Sequence, residues 1–259
     1  MEKLTESMLA IASEIEADAR DKLSDVLQAA MDNTIQQLRT EKYPRRLGPE
    51  FHKAITQTLV NMWQKTAYET ADYMQEYFAH GFKSLTTKAA REEIKQRVLS
   101  EYIDRYGARQ AAQIIRTTEK QVRDMTNGGL ARGQSIDLVF REITNKIPAL
   151  ADQRADVISQ TEIHATNQFV SQAMAARSGL RLRKMWDAVN DERTRDFGEL
   201  GRISQFNHRV MNGSTIPVDQ QFAVPTITGS VERLLFPGDP KGSAGNIINC
   251  RCNQVYIED

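Results

Sequence analysis

The chain has 259 residues, a formal charge of zero at pH 7 and 26% charged residues, a balance that argues against a dedicated nucleic-acid binder with its net basic excess. No apolar run approaches the length of a membrane span, and Met1-Glu2-Lys3-Leu4 lacks the apolar stretch of a signal peptide. Two cysteines cannot build a disulfide framework, so a cytosolic origin with reduced thiols is expected.

Helices come first. Leu4, Met8, Ile11 and Ile15 fall on one face, and Leu23, Leu27, Met31, Ile35 and Leu38 continue the stripe. This reads as one helix of roughly 35 residues, about 50 Å long at about 1.5 Å rise per residue. Glu14, Glu16, Asp18, Asp21 and Asp25 make its outward face acidic, which disfavours anionic membranes. The stripe needs a cover, either the helices that follow or another subunit. Tyr43–Pro49 breaks the helix, and Pro49 suits the first turn of the next. That helix carries Phe51, Ile55, Leu59, Met62 and Trp63, then Tyr73 and Tyr77. Gly81 and Ser84–Thr87 mark another break. Ile94, Val98 and Ile103 follow, then Ile114, Ile115, Val122 and Met125.

Asn127-Gly128-Gly129 reads as a helix stop, with Ser135 the N-cap of the next helix and Asp137 in its first turn. Pro148 is expected to separate that helix from a longer one over about Ala151–Arg177, ended by Gly179. The period then changes. Leu182–Val189, Thr215–Val218, Arg233–Phe236 and Asn253–Ile257 are short strand-like runs between turn residues. The expected fold class is α+β, mainly helical: a long N-terminal helical region followed by a compact C-terminal domain with a small, mostly antiparallel sheet.

Several motifs bear on chemistry. Gly128–Ser135 mimics a phosphate-binding loop, but Gln134 stands where the lysine belongs and a helix precedes it; a helix-turn-helix linker accounts for it. Cys250-x-Cys252 supports two readings. Alternate residues of a strand face the same way, so both thiolates could approach one zinc ion, with His208 as a third ligand and Asp191 or Asp239 as a fourth. The other reading is two small buried thiols closing a sheet. Asp191-Glu192-Arg193-Thr194-Arg195 reads as a turn capped by Asp191, with arginines reaching Asp239 or Glu162. His208 with Cys250 is a formal Cys–His pair, but nothing in the sequence supplies an oxyanion hole, so no catalytic residue is assigned and the chain is not read as an enzyme. His52, His80 and His164 read as helix-surface or boundary residues, and no histidine stands four residues from His164. Arg177, Arg181, Arg183, Lys184, Arg193, Arg195, Arg202 and Arg209 make the stretch 177–209 basic, a candidate contact for DNA phosphates.

Taken in order, Trp186, Asp191, Arg193-Thr194-Arg195, His208, Asn212-Gly213, Pro237-Gly238-Asp239-Pro240 and Asn249-Cys250-Arg251-Cys252 resemble the phage head morphogenesis family, the minor head proteins of the Mu F type. The helical approach from about Ile114 through Thr161-Glu162 and Asn167 is similar too, although Gln160 stands where the family has arginine. The resemblance implies a Mu-F-like minor head domain over 111–259, with helices over 111–178 and a small sheet over 180–259, preceded by an N-terminal helical docking region over 1–110. Trp186, Asp191, Arg193, Arg195, Pro237, Gly238, Asp239, Asn249 and Arg251 would be its structural motif residues. It further implies a virion component inside the head, made in the host cytoplasm. The implied partners are the portal protein and inner capsid or scaffold proteins. A role in DNA packaging or ejection, and self-association through the N-terminal helices, complete the expectation. A DNA-binding internal head protein and a metal-dependent enzyme are the alternatives.

Overall fold

A computed structural model describes residues 2–41, 48–79, 87–198 and 200–258. Five long helices come first: α1 Glu2–Glu41, α2 Pro49–Tyr77, α3 Lys88–Tyr102, α4 Ala108–Ala131 and α5 Ile136–Arg177. A π turn, Ile103–Gly107, joins α3 to α4. Short strands follow: β1 Leu182–Asp187, β2 Arg195–Asp196, β3 Arg202–Ile203, β4 Thr215–Pro217, β5 Phe222–Pro225 and β6 Val231–Leu234. A four-residue helix, α6 Ala244–Ile247, precedes the last strand, β7 Asn253–Glu258. The fold is α+β and mainly helical, as the sequence predicts. The chain breaks expected at Tyr43–Pro49 and Gly81–Thr87 fall largely on residues 42–47 and 80–86, which, with His80, lie outside the described residues. No described helix is long and apolar enough to cross a membrane.

The chain groups into two compact units. One comprises Met1–Ile15, Trp63–Tyr106 and Gln160–Asp259, the other Glu16–Met62 and Gly107–Ser159. A helix of 40 residues is about 60 Å long, more than one small core covers, so α1, α2 and α5 each supply one end to each unit.

The second unit is a helical core. Met31 and Ile35 of α1 meet Val122 of α4 and Val139, Phe140, Ile143 and Ile147 of α5. Leu23 and Leu27 are also fully buried, so this part of the α1 stripe is covered within the chain. Asn127-Gly128-Gly129 does not stop α4. The helix runs on to Ala131, and Gly133, at φ +74°, makes the turn. Gly129 is there for contact: a Cβ on it would sit 2.5 Å from a methyl of Val139. Ser135 caps α5 as expected, its Oγ accepting from the Leu138 N–H at 3.3 Å. Pro148 does not divide α5, which is continuous over 42 residues. A proline in a helix interior costs about 3 kcal/mol; the fully buried Ile147 and Ala151 on either side hold the helix together across it.

In the first unit the α2 stripe continues through Ala67, Ala71, Met74 and Phe78, all buried, while Tyr73 and Tyr77 turn outward. Trp63, Tyr102, Tyr106 and Phe169 form an edge-to-face aromatic cluster. The Trp63 indole N–H donates to Glu162 at 3.1 Å. The main sheet has the order β4-β1-β7, antiparallel throughout, with Met185 opposite both Thr215 and Val255. Strands β5 and β6 form an antiparallel hairpin, and β2 and β3 a two-residue parallel pair. Amides bind α5 to the sheet: Gln168 donates to Asn253 at 3.0 Å and accepts from the Gln254 N–H at 3.1 Å, and Gln172 donates to the Val218 carbonyl at 2.6 Å. Strands β2 and β3, of two residues each, are too short to show an alternating pattern.

Candidate functional site

His208, Cys250 and Cys252 converge, with their ligand atoms all within 4.8 Å of one another. His208 Nδ1 lies 3.7 Å from the Cys250 sulfur and 3.5 Å from that of Cys252. All three are buried, at 1%, 3% and 4% exposure. His208 opens a 3-10 turn, Arg209–Met211, and its backbone N–H donates to the Arg195 carbonyl at 2.9 Å, hanging it from β2. The cysteines are not inside the last strand, as their alternation suggests, but in the segment before it. Asn249, at φ 56°, turns the chain into that segment, and its N–H donates to Thr161 Oγ1 at 3.1 Å. The Cys250 N–H closes onto the Ile247 carbonyl at 3.1 Å. Around them lie Trp186, Phe206, Met211, Phe222, Val224 and Leu234. The Trp186 ring packs edge-to-face on His208 at 5.3 Å.

The orientation of the imidazole follows from its far side. Asn246 bridges His208 Nε2, at 2.6 Å, and Glu232 Oε2, also at 2.6 Å. A carboxylate only accepts, so the Asn246 amide nitrogen faces Glu232 and its oxygen faces His208. His208 Nε2 must then carry the proton, and Nδ1 presents its lone pair to the two sulfurs. Glu232 is itself fixed by the Ser243 N–H at 2.7 Å and the Ser243 hydroxyl at 3.1 Å.

The two thiols titrate as a pair. The hydrogen bond from Cys252 pulls the Cys250 pKa well down, against burial. The same bond and burial push Cys252 well up. A cation with two thiolate ligands would take both protons off.

The remaining motif residues build the walls. Asp191 caps its turn, accepting from the Arg193 N–H at 2.9 Å and from Thr194 Oγ1 at 3.2 Å, and pairs with Arg251 at 2.6 Å and Arg193 at 3.6 Å. The Arg251 hydrogen bond above all holds its carboxyl below the usual range. Arg195 donates to the Gly245 carbonyl at 2.8 Å and to the Ile248 carbonyl, pinning α6. Asp239 accepts from the Leu235 N–H at 3.0 Å, the Lys241 N–H at 3.0 Å and the Tyr106 hydroxyl at 3.3 Å. Both aspartates thus have other bonds to make, and neither is the fourth ligand sketched from the sequence. Arg193 and Arg251 pair with Asp191, and Glu162 accepts from the Trp63 indole. Between Pro237 and Asp239, Gly238 takes φ +80°, and a Cβ on it would lie 2.7 Å from the His164 ring.

That contact sets His164, a half-buried boundary residue of α5, beside the site. Its Nε2 is buried with no hydrogen-bond partner. Asn246 and Glu232 are also absent from any reading of the sequence, because a side chain supporting a histidine from behind carries no motif. Asp196 is a further omission. Burial works to raise its pKa, but the N–H groups of Gly198, Leu200 and Gly201 and the charge of Arg209 outweigh it and hold the carboxyl low.

Lys184 and Arg195 of the stretch 177–209 turn inward. Lys184 is fully buried, donating to Gln172 Oε1 at 3.1 Å and the Leu235 carbonyl at 2.6 Å, and burial lowers its pKa to about 7. Arg195 is inside, Arg177 pairs with Glu101, and Arg209 pairs with Asp196 at 3.4 Å. The Gly128–Ser135 loop lies on the α4–α5 connection with no strand before it, as the linker reading requires.

A family model described as Phage Mu protein F like protein matches residues 120–255, more than half of the chain. The chain is 29% identical over 147 residues to "Uncharacterized protein YqbB" of Bacillus subtilis (strain 168), an alignment covering 56% of this chain and 44% of that one. It thus spans less than half the length of that curated relative. No solved structure matches the chain. The matched residues 120–255 contain the motif from Trp186 to Cys252 with its histidine and both cysteines, and the chain belongs to the Phage Mu protein F like family.

Proposed function

We propose that this protein is a minor head protein of a phage, made in the host cytoplasm and incorporated at the portal on the inner side of the head, where it serves head morphogenesis and DNA packaging or ejection. The family match over residues 120–255 carries this reading. Burial of the Cys–His cluster favours a structural over a catalytic use, since a nucleophile must be reached by its substrate. The contact surface we assign is apolar. Leu200 and Ile203 are 76% and 79% exposed, on the loop held by Asp196, and Ile227, 59% exposed, is tied to that loop by its N–H to the Gln205 carbonyl at 2.9 Å. Exposed apolar clusters of this kind mark interaction sites.

The α1 stripe is a poorer candidate for docking or self-association, its part around Leu23 and Leu27 being covered within the chain, although the acidic outward face remains open. Contact with packaged DNA through Arg177–Arg209 is not part of the proposal, because Lys184 and Arg195 face inward. Mixing the purified chain with the phage's portal protein and separating by size tests the docking. Co-elution that is lost in Leu200→Asp/Ile203→Asp, with the variant's fold intact, is expected. Absence of any complex, or a complex indifferent to the two aspartates, would contradict the assigned surface.

A further inference from the structure

We propose that Cys250, Cys252, His208 and His164 bind one structural zinc ion that ties the C-terminal segment and the 208 turn to α5. The inference is independent of the head role.

The geometry fits tetrahedral zinc. With Zn–S of about 2.3 Å and Zn–N of about 2.0–2.1 Å, a tetrahedral site separates a nitrogen from a sulfur by about 3.6 Å. His208 Nδ1 lies 3.7 and 3.5 Å from the two sulfurs. A centre among the three donors is therefore within bonding distance of each without moving the backbone. The donor atoms are in the right state as well. The Asn246 oxygen holds the proton on Nε2, so Nδ1 is the lone-pair nitrogen that a metal requires. The chain Glu232–Asn246–His208 is an orienting support of the kind that ligating histidines use. A purely apolar core gives no reason for it: burying an imidazole costs free energy unless both nitrogens are satisfied, and two thiols are weak donors for Nδ1.

The fourth position faces α5. Asp191 and Asp239 are held by other bonds. His164 remains: its ring lies against Gly238 and its Nε2 is buried without a hydrogen-bond partner; its nitrogens are not among the donor atoms that lie within 4.8 Å of one another, so its ring must shift to complete the set. Gly238 is then explained twice, since its positive φ makes the turn and its missing Cβ leaves room for the imidazole. Trp186, whose indole N–H finds no oxygen acceptor, stands beside Cys252 and can serve a thiolate there. Four protein ligands, three of them buried, make a closed, structural site, not a catalytic one with an open position.

Metal analysis of the full-length chain, expressed with zinc and purified under reducing conditions, should give one zinc per chain. Chelation under denaturing conditions, refolding and titration with Co²⁺ should give thiolate-to-cobalt charge-transfer bands and the intense visible bands of a tetrahedral ion. Cys250→Ser should weaken the charge-transfer bands, and Asn246→Ala should lower metal affinity about 10–100-fold. His164→Gln should keep the charge-transfer bands while shifting the visible ones. Because loss of a core thiol is by itself enough to impair folding of the cysteine variant, the cobalt titration of the unaltered chain is the deciding measurement. Substoichiometric zinc together with a folded protein that gives no cobalt spectrum would overturn the site. Visible bands unchanged in His164→Gln would overturn the four-residue ligand set.

Discussion

The helical core around Met31, Val122 and Phe140 and the sheet core around Trp186 and His208 are built on different terms. The first is aliphatic and aromatic side chains at helical spacing, with main-chain groups satisfied inside each helix. The second buries Lys184, Asp196, His208, Asp239 and Asn246 among short strands and turns, so each polar group needs its own partner. A helical core tolerates exchange of one apolar residue for another of similar size. The sheet core depends on named atoms at named distances, which is why a recognisable set of residues persists there while the α1 stripe has only a period.

This contrast can be broken or sharpened by substitution. The largest effect should come from removing α1: residues 1–42 carry Leu23, Leu27 and Met31, each fully buried, so the truncated chain should lose its cooperative unfolding transition by circular dichroism. A folded remainder would show that the α1 stripe is dispensable. Trp186→Ala should follow, at about 3–5 kcal/mol in urea denaturation, beside about 2–5 kcal/mol for Leu27→Ala. Glycines offer a finer comparison. Gly129→Ala should destabilise, although alanine in a helix normally gains about 1 kcal/mol, because its Cβ would overlap Val139. Gly133→Ala, with open space but φ +74°, should cost only the left-handed strain of about 1–2 kcal/mol. Gly238→Ala meets both penalties and should exceed Gly133→Ala. Equal costs at the two positions would mean that the His164 contact is unimportant.

The smallest effect is read by pH. Lys184 has a folded pKa of about 7, below the ordinary lysine value, because of its burial. Between about 7 and about 10.4 the unfolded chain binds the extra proton, so stability should rise with pH across that window and fall as pH drops through it. Lys184→Met should flatten that slope. An unchanged slope would show that the amine stays charged inside. Asp191, held low by Arg251, acts in the opposite range: its contribution is present above the usual carboxylate pKa and is lost as pH falls through the folded value, and it is small because the pair is partly exposed.

How much was legible beforehand follows the same divide. The α1 and α2 stripes, the Ser135 cap and the Gly179 stop are written locally, in period and in single residues. Pro148 and Asn127-Gly128-Gly129 misled because burial of Ile147 and the Val139 contact override local preference, and neither is visible without the tertiary structure. At the site, the cysteine spacing and the motif histidine marked the three donors. Nothing in the sequence connected His164, Asn246 or Glu232 to them, since each acts through space on a residue more than ten positions away. Lys184 differs for the same reason: a lysine in a basic run is expected to be solvated, and its strand turns it inward.

The head role is the claim on which the functional account stands. Mass spectrometry of purified heads, before and after triggered DNA ejection, tests it most directly. The account predicts the chain in full heads at a fixed ratio to the portal protein; loss on ejection would make it co-ejected and retention would make it a fixed head component. Absence from heads both before and after ejection would contradict the account.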